Sequence, residues 1–160
     1  MRILLATYGS EHSGAAVDET VRQHLQTDSE VRVISVIEPT RMYPVEGMDV
    51  NVYDDIESSR RERASVAVEK AAAKLRGGDE SRKLKVTTKV LSGSPKRLIL
   101  EEADAFGADL IVVGSHGQGA LERFLLGSVS QAVALHAKCS VEIVRHPEKE
   151  TQQRVTTLTG

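Results

Sequence analysis

The chain of 160 residues carries 21 basic and 23 acidic side chains, a formal net charge of -2, so it offers no broad cationic field to nucleic acid or to an anionic membrane surface. That length suits one domain with one substantial core. A single cysteine, Cys139, cannot form an internal disulfide, and between Ala137 and Val141 it reads as a small core hydrophobe and not as a catalytic thiol.

In chain order, Met1 and Arg2 run straight into an apolar stretch, Ile3 to Thr7, that is too short for a signal-peptide core and lacks a cleavage site. No apolar run approaches the ~20 residues of a membrane span. The expectation is a cytoplasmic protein with no membrane partner. Ile3 to Thr7 reads as the first strand. Ala15, Ala16, Thr20, Val21 and Leu25 then recur at helical spacing and predict a helix over Ser13 to Gln26. Val31 to Ile37 reads as the second strand.

Glu38 to Asp54 contains Pro39, Pro44 and Gly47 and resists both regular structures, which predicts a loop of about 17 residues, either a lid over a ligand or a disordered segment. A charged, alanine-rich helix follows from Ile56 to Arg76, stopped by Gly77 and Gly78. Leu84 to Leu91 is the third strand. Ser94 and Pro95 then open a helix as cap and first-turn proline, and Gly107 ends it after Phe106. Asp109 to Gly114 is the fourth strand, Val129 to His136 the last long helix, and Val141 to Val144 the fifth strand. The polar segment from 147 to 160 reads as a fraying tail beyond a domain of residues 1–146.

Alternating strands and helices predict an α/β fold, a single doubly wound five-stranded parallel sheet with helices on both faces. In such sheets ligands sit beyond the carboxyl ends of the strands. Two ends carry suitable residues: Thr7-Tyr8-Gly9-Ser10, and Gly114-Ser115-His116-Gly117. Gly114, Gly117, Gly119 and Gly127-Ser128 would let backbone N–H groups approach a phosphate at a helix N-terminus, with the Ser128 and Ser130 hydroxyls as further donors. Turns and caps use glycine freely, so the glycines alone leave a purely structural reading open. A P-loop is excluded because no Gly-Lys-Ser or Gly-Lys-Thr ends the motif, and Tyr8-Gly9-Ser10-Glu11 is no Gly-x-Gly-x-x-Gly turn.

The spacing Gly114-x2-Gly117-x9-Gly127-Ser128 resembles the signature of ATP-binding universal stress proteins, as do Val112-Val113-Gly114-Ser115-His116-Gly117, Leu125-Leu126-Gly127-Ser128-Val129-Ser130 and His136-Ala137-Lys138-Cys139. The similarity spans about Arg2 to Arg145. It implies a Rossmann-like fold of the adenine nucleotide alpha hydrolase type and a stress-response regulator that binds ATP, ADP or AMP with Mg2+ as a nucleotide-dependent switch. It further implies that Gly117, Gly127, Ser128, Val129 and Ser130 hold the phosphates, that Gly114 lies near the ribose with Val113 also in the site, that Ala6, Thr7 and Tyr8 line the adenosine end, and that Val36 touches the adenine. His116 would be a secondary phosphate contact.

Two positions depart from the family pattern. The family usually carries aspartate where Tyr8 stands; tyrosine cannot supply the carboxylate, and its ring can stack on adenine, its hydroxyl can bond to ribose, or its bulk can close the pocket. Ser140 stands where a proline commonly follows the cysteine. Hydrolysis needs a positioned water and a charge stabiliser, and the nearest acids, Glu11 and Glu122, carry no motif for it, so at most a slow ATPase is expected. A pyrophosphatase-type adenylating enzyme is excluded by the missing Ser-Gly-Gly-x-Asp-Ser loop. The alternative is a nucleotide-free dimeric adaptor whose pocket Tyr8 closes. The resemblance also implies a homodimer paired through Val141, Glu142 and Ile143, against a monomer whose edge Glu142 protects.

Overall fold

The computed structural model describes residues 1–9, 11–24, 27–39, 50–77, 84–115 and 126–145. Strands β1 (Arg2–Ala6), β2 (Glu30–Ile37), β3 (Lys85–Ser92), β4 (Leu110–Gly114) and β5 (Ser140–Val144) form one sheet in the order β3-β2-β1-β4-β5, and every pairing is parallel. The chain starts in the middle, winds out to one edge and returns to the other. The reversal falls between β1 and β4, where Leu4 is in register with Ile111.

Period-two alternation divides each central strand between two cores. Ile3, Leu5, Val31, Val33, Leu110 and Val112 point to one face, where Ala16 and Val17 of α1 (Glu11–Glu19) and Val68, Ala71 and Leu75 of α2 (Val50–Arg76) cover them. Leu4, Ala6, Ile34, Val36, Ile111 and Val113 point to the other, against Ile99 and Ala103 of α3 (Pro95–Phe106) and Val133 of α4 (Ser128–His136). A strand buried on both faces must be apolar throughout, which is why β1 and β4 read as continuous hydrophobic runs. Cys139 is half-buried against the second core, as a small hydrophobe would be.

Local chemistry explains the boundaries. Pro95 stands in the first turn of α3, and Gly107 closes that helix at φ 64, ψ 47, a left-handed conformation that glycine adopts without steric cost. The helix after β1 starts at Glu11 and changes at Thr20 into a π turn, Thr20–His24. There the buried Thr20 hydroxyl donates to the Ala16 carbonyl at 2.8 Å, occupying the acceptor that the regular ladder would use. The expected loop Glu38 to Asp54 is shorter than its sequence suggests, because α2 begins at Val50 and not at Ile56. Beyond Gly47 neither proline nor glycine interrupts the chain, so helical hydrogen bonding extends back by six residues. The positions 40–49 of that loop, and the tail 147–160, lie outside the described residues.

One charged group is buried beneath α3. Glu102, 7% exposed, accepts from Arg32 of β2 at 2.5 Å and from Lys89 of β3 at 2.9 Å, while the Arg32 guanidinium stacks 4.2 Å from the centroid of the Phe106 ring. This cluster ties α3 to the β2–β3 half of the sheet.

Candidate functional site

At the carboxyl ends of β1, β2 and β4 lies a cavity of about 750 Å3, a size typical of a small-molecule site. Tyr8, Val36, Val113, Gly114, Gly127, Ser128, Val129 and Ser130 line it, so residues from four separate segments meet in one space.

The α4 wall is built by hydrogen bonds. The Gly127 N–H donates to the Ser115 carbonyl at 2.8 Å, and the Ser115 N–H donates to the Val144 carbonyl at 2.8 Å, which fixes the approach to the helix. Gly127 is the N-cap, and its carbonyl accepts from Gln131 at 3.0 Å. Ser128 is exposed in the first helical position, where the opening N–H groups of α4 have no intrahelical partners. These donors and the positive end of the helix dipole suit an anion.

Ser130 makes a structural bond at this wall. Besides lining the cavity, its hydroxyl is buried and donates to the Gly114 carbonyl at 2.6 Å, which ties the junction of β4 with α4. Ala6 and Thr7 do not line the cavity. Ala6 is packed in the second core, and Thr7 is 3% exposed, its N–H bonded to the Ile34 carbonyl and its Oγ1 accepting from the Gly9 N–H at 3.3 Å. Both hold the backbone that presents Tyr8. Gly9 has φ 72, and a Cβ there would stand 3.1 Å from Cβ of Ala67, so the turn after β1 and its approach to α2 both require glycine. His116, Gly117, Gly119 and Glu122 lie outside the described residues.

Tyr8 neither fills the cavity nor satisfies itself. Its hydroxyl is buried and finds no hydrogen-bond partner among the described residues. Burial pushes the phenol up to about 12, and the charge of nearby Glu38 adds to the shift. The group therefore stays neutral at physiological pH and keeps a proton to donate.

The residues that sequence reasoning missed include four from α2. Ile56, Arg60, Arg63 and Ala64 turn toward the cavity, as do Ser13, Ser35, Ile37, Glu38 and Pro95. Positions 56, 60, 63 and 64 form one helical stripe, a signal present in the sequence but masked by the neighbouring charges of Arg61 and Glu62. Arg60 donates from Nη1 to the Glu38 carbonyl at 3.2 Å and lies 3.9 Å from the Glu57 carboxylate, and Arg63 bonds to the Ser59 hydroxyl at 3.3 Å. The cavity thus has a helix N-terminus on one side and two guanidinium groups on the other.

The family model described as the universal stress protein family matches residues 1–145. The chain belongs to the universal stress protein family. A universal stress protein of Methanocaldococcus jannaschii is 34% identical over 151 residues, covering 93% of this chain and 84% of that protein. Among solved universal stress proteins, one from Lactobacillus plantarum aligns with a TM-score of 0.75 at 24% identity, covering 91% of this chain and 97% of that one. One from Arabidopsis thaliana, solved with AMP bound, aligns at 0.66 and 19%, covering 96% and 97%. A third, in complex with cAMP, aligns at 0.65 and 24%, covering 92% and 98%. These likenesses show the fold, and it is the five-stranded parallel α/β fold expected from the alternation of elements. Among the described residues no group of three or more His, Cys, Asp or Glu side chains is placed to hold a metal ion, and no helix is long and apolar enough to cross a membrane.

Proposed function

We propose that this universal stress protein binds ATP, or a related adenine nucleotide, in the cavity at the strand ends and acts as a nucleotide-dependent switch in the cytoplasm. The observation that carries the reading is the single cavity shared by the N-terminal turn of α4, the end of β1 and the end of β2. Phosphates would meet Gly127, Ser128 and Val129 at α4, the ribose would lie by Gly114 and Val113, and the base would rest on Val36. The AMP and cAMP held by the two fold neighbours support the choice of an adenine nucleotide. The unpartnered Tyr8 hydroxyl favours an occupied pocket over a closed one, because a buried donor without an acceptor costs free energy that a ligand can recover. Mg2+ would travel with ATP, held chiefly by the phosphate oxygens.

We place turnover low, since among the described lining residues the one carboxylate, Glu38, belongs to no motif for orienting a water. Two copies would join through β5, which lies at the sheet edge and offers an open row of backbone groups; sedimentation velocity finding only monomer would argue against that pairing.

The reading is tested by denaturing the purified protein, identifying any released nucleotide by mass, and titrating the emptied protein with ATP, ADP and AMP in the presence of Mg2+. Gly127 has φ -58 and ψ 148, a conformation open to other residues, so Gly127→Val should fold yet project its side chain into the phosphate end. Micromolar binding abolished by that change is the expected result. No released nucleotide and no heat with any of the three would leave the nucleotide-free adaptor.

A further inference from the structure

The cavity reaches across three neighbouring strands. The start of α4 stands at the end of β4, Val36, Ile37 and Glu38 close β2, and β1 with Tyr8 lies between them in the sheet. Neighbouring strands are spaced ~4.8 Å apart, so the two outer walls are about 10 Å apart. A nucleotide with its phosphate on α4 and its base on Val36 therefore carries its ribose over the end of β1.

The polar groups waiting there are complementary to a hydroxyl. The Tyr8 hydroxyl is buried without a partner among the described residues, and its phenol, raised to about 12, stays protonated at neutral pH with a hydrogen to donate. Glu38 faces the same cavity, and its charge is felt by that phenol. Arg60 holds Glu38 by its backbone carbonyl, which fixes the residue while leaving that guanidinium contact off the carboxylate. A sugar hydroxyl accepts and donates through one oxygen, so it fits between a phenol and a carboxylate where neither a methylene nor an anion would. An acidic residue placed after β2 and bonded to ribose is a recurrent solution in doubly wound nucleotide sites.

We propose that Tyr8 and Glu38 together read the ribose hydroxyls of the bound nucleotide, Tyr8 donating to a hydroxyl oxygen and the Glu38 carboxylate accepting that hydroxyl's proton, so that the site selects ribonucleotides over deoxyribonucleotides. The proposal rests on the nucleotide-binding reading above. Removing the hydroxyl from the ligand returns Tyr8 to its unpartnered state, which is the condition under which a polar site rejects an analogue strongly.

The test is calorimetric titration of the emptied full-length protein with ATP, 2′-deoxy-ATP and 3′-deoxy-ATP, repeated with Glu38→Gln and Tyr8→Phe. Glu38 is exposed, so its substitution leaves the fold intact. The expected result is that wild type binds at least one deoxy analogue about tenfold or more weakly than ATP, and that both variants shrink this ratio toward one. Equal affinity of wild type for all three ligands overturns the proposal while leaving nucleotide binding standing. So does discrimination that survives in both variants. Failure of wild type to bind any of the three overturns the nucleotide-binding reading itself, and this inference with it.

Discussion

The hydroxyl of Ser130 donates to the carbonyl of Gly114 at 2.6 Å, joining the first turn of α4 to the last residue of β4. The contact holds the helix N-terminus over the sheet, so stability and ligand affinity should fall together when it is lost. Ser130→Ala leaves the half-buried Gly114 carbonyl short of a partner and should cost about 1–2 kcal/mol in urea denaturation. Affinity for ATP should fall in the same variant, and unchanged affinity would mean that α4 keeps its place without the bond.

Tyr8 gives opposite signs in the empty and occupied protein. Tyr8→Phe removes a buried hydroxyl that has no partner among the described residues, so the ligand-free protein should be as stable as wild type or more stable, by up to about 1 kcal/mol. Affinity for ATP should weaken, because the hydroxyl loses its one opportunity to bond. A variant that is less stable when empty would show that the hydroxyl has a partner in solution.

The same phenol governs alkaline stability. Its folded pKa is raised from 10.0 to about 12, so the folded state holds this proton more tightly than the unfolded chain does. The resulting contribution is fully present below pH 10 and is lost as pH rises from 10 toward 12. Urea midpoints followed across this window should decline in wild type, and Tyr8→Phe should flatten the part due to Tyr8.

Arg60 and Arg63 face the cavity but make few fixed contacts, which predicts a role in binding charge and little role in stability. The double substitution Arg60→Gln and Arg63→Gln should change unfolding by less than about 0.5 kcal/mol, as expected for surface positions. It should weaken ATP several-fold more than adenosine, and it should reduce the dependence of ATP affinity on salt. Equal weakening of both ligands would assign the arginines to packing.

Glu102 tests the buried cluster under α3. Glu102→Ala leaves Arg32 and Lys89 without their carboxylate and should cost about 2–3 kcal/mol, below the ~3–5 kcal/mol of fully buried pairs because both cations retain solvent. The double change Glu102→Leu with Arg32→Met should cost less than the sum of the single changes, since it leaves fewer uncompensated charges. Strict additivity in urea midpoints would indicate that the pair is uncoupled.

Much of this architecture is legible in the sequence because short-range rules dominate it. Continuous apolar runs at Ile3 to Thr7 and Asp109 to Gly114 mark strands covered on both faces, and Ser94-Pro95 and Gly107 punctuate α3 through backbone constraints that act within a few residues. The glycine and serine spacing around Gly114 and Gly127-Ser128 locates the α4 wall for the same reason, since each glycine answers a local need of the backbone. Tertiary contacts decided the rest. That Ser130 spends its proton on Gly114, that Ala6 and Thr7 support the site from behind, and that Arg60, Arg63 and Glu38 face the cavity depend on how α2 and α4 pack across the sheet. A side chain's partner is set by what folding brings near it, and residues 8, 38 and 60 become neighbours only when β1, β2 and α2 assemble.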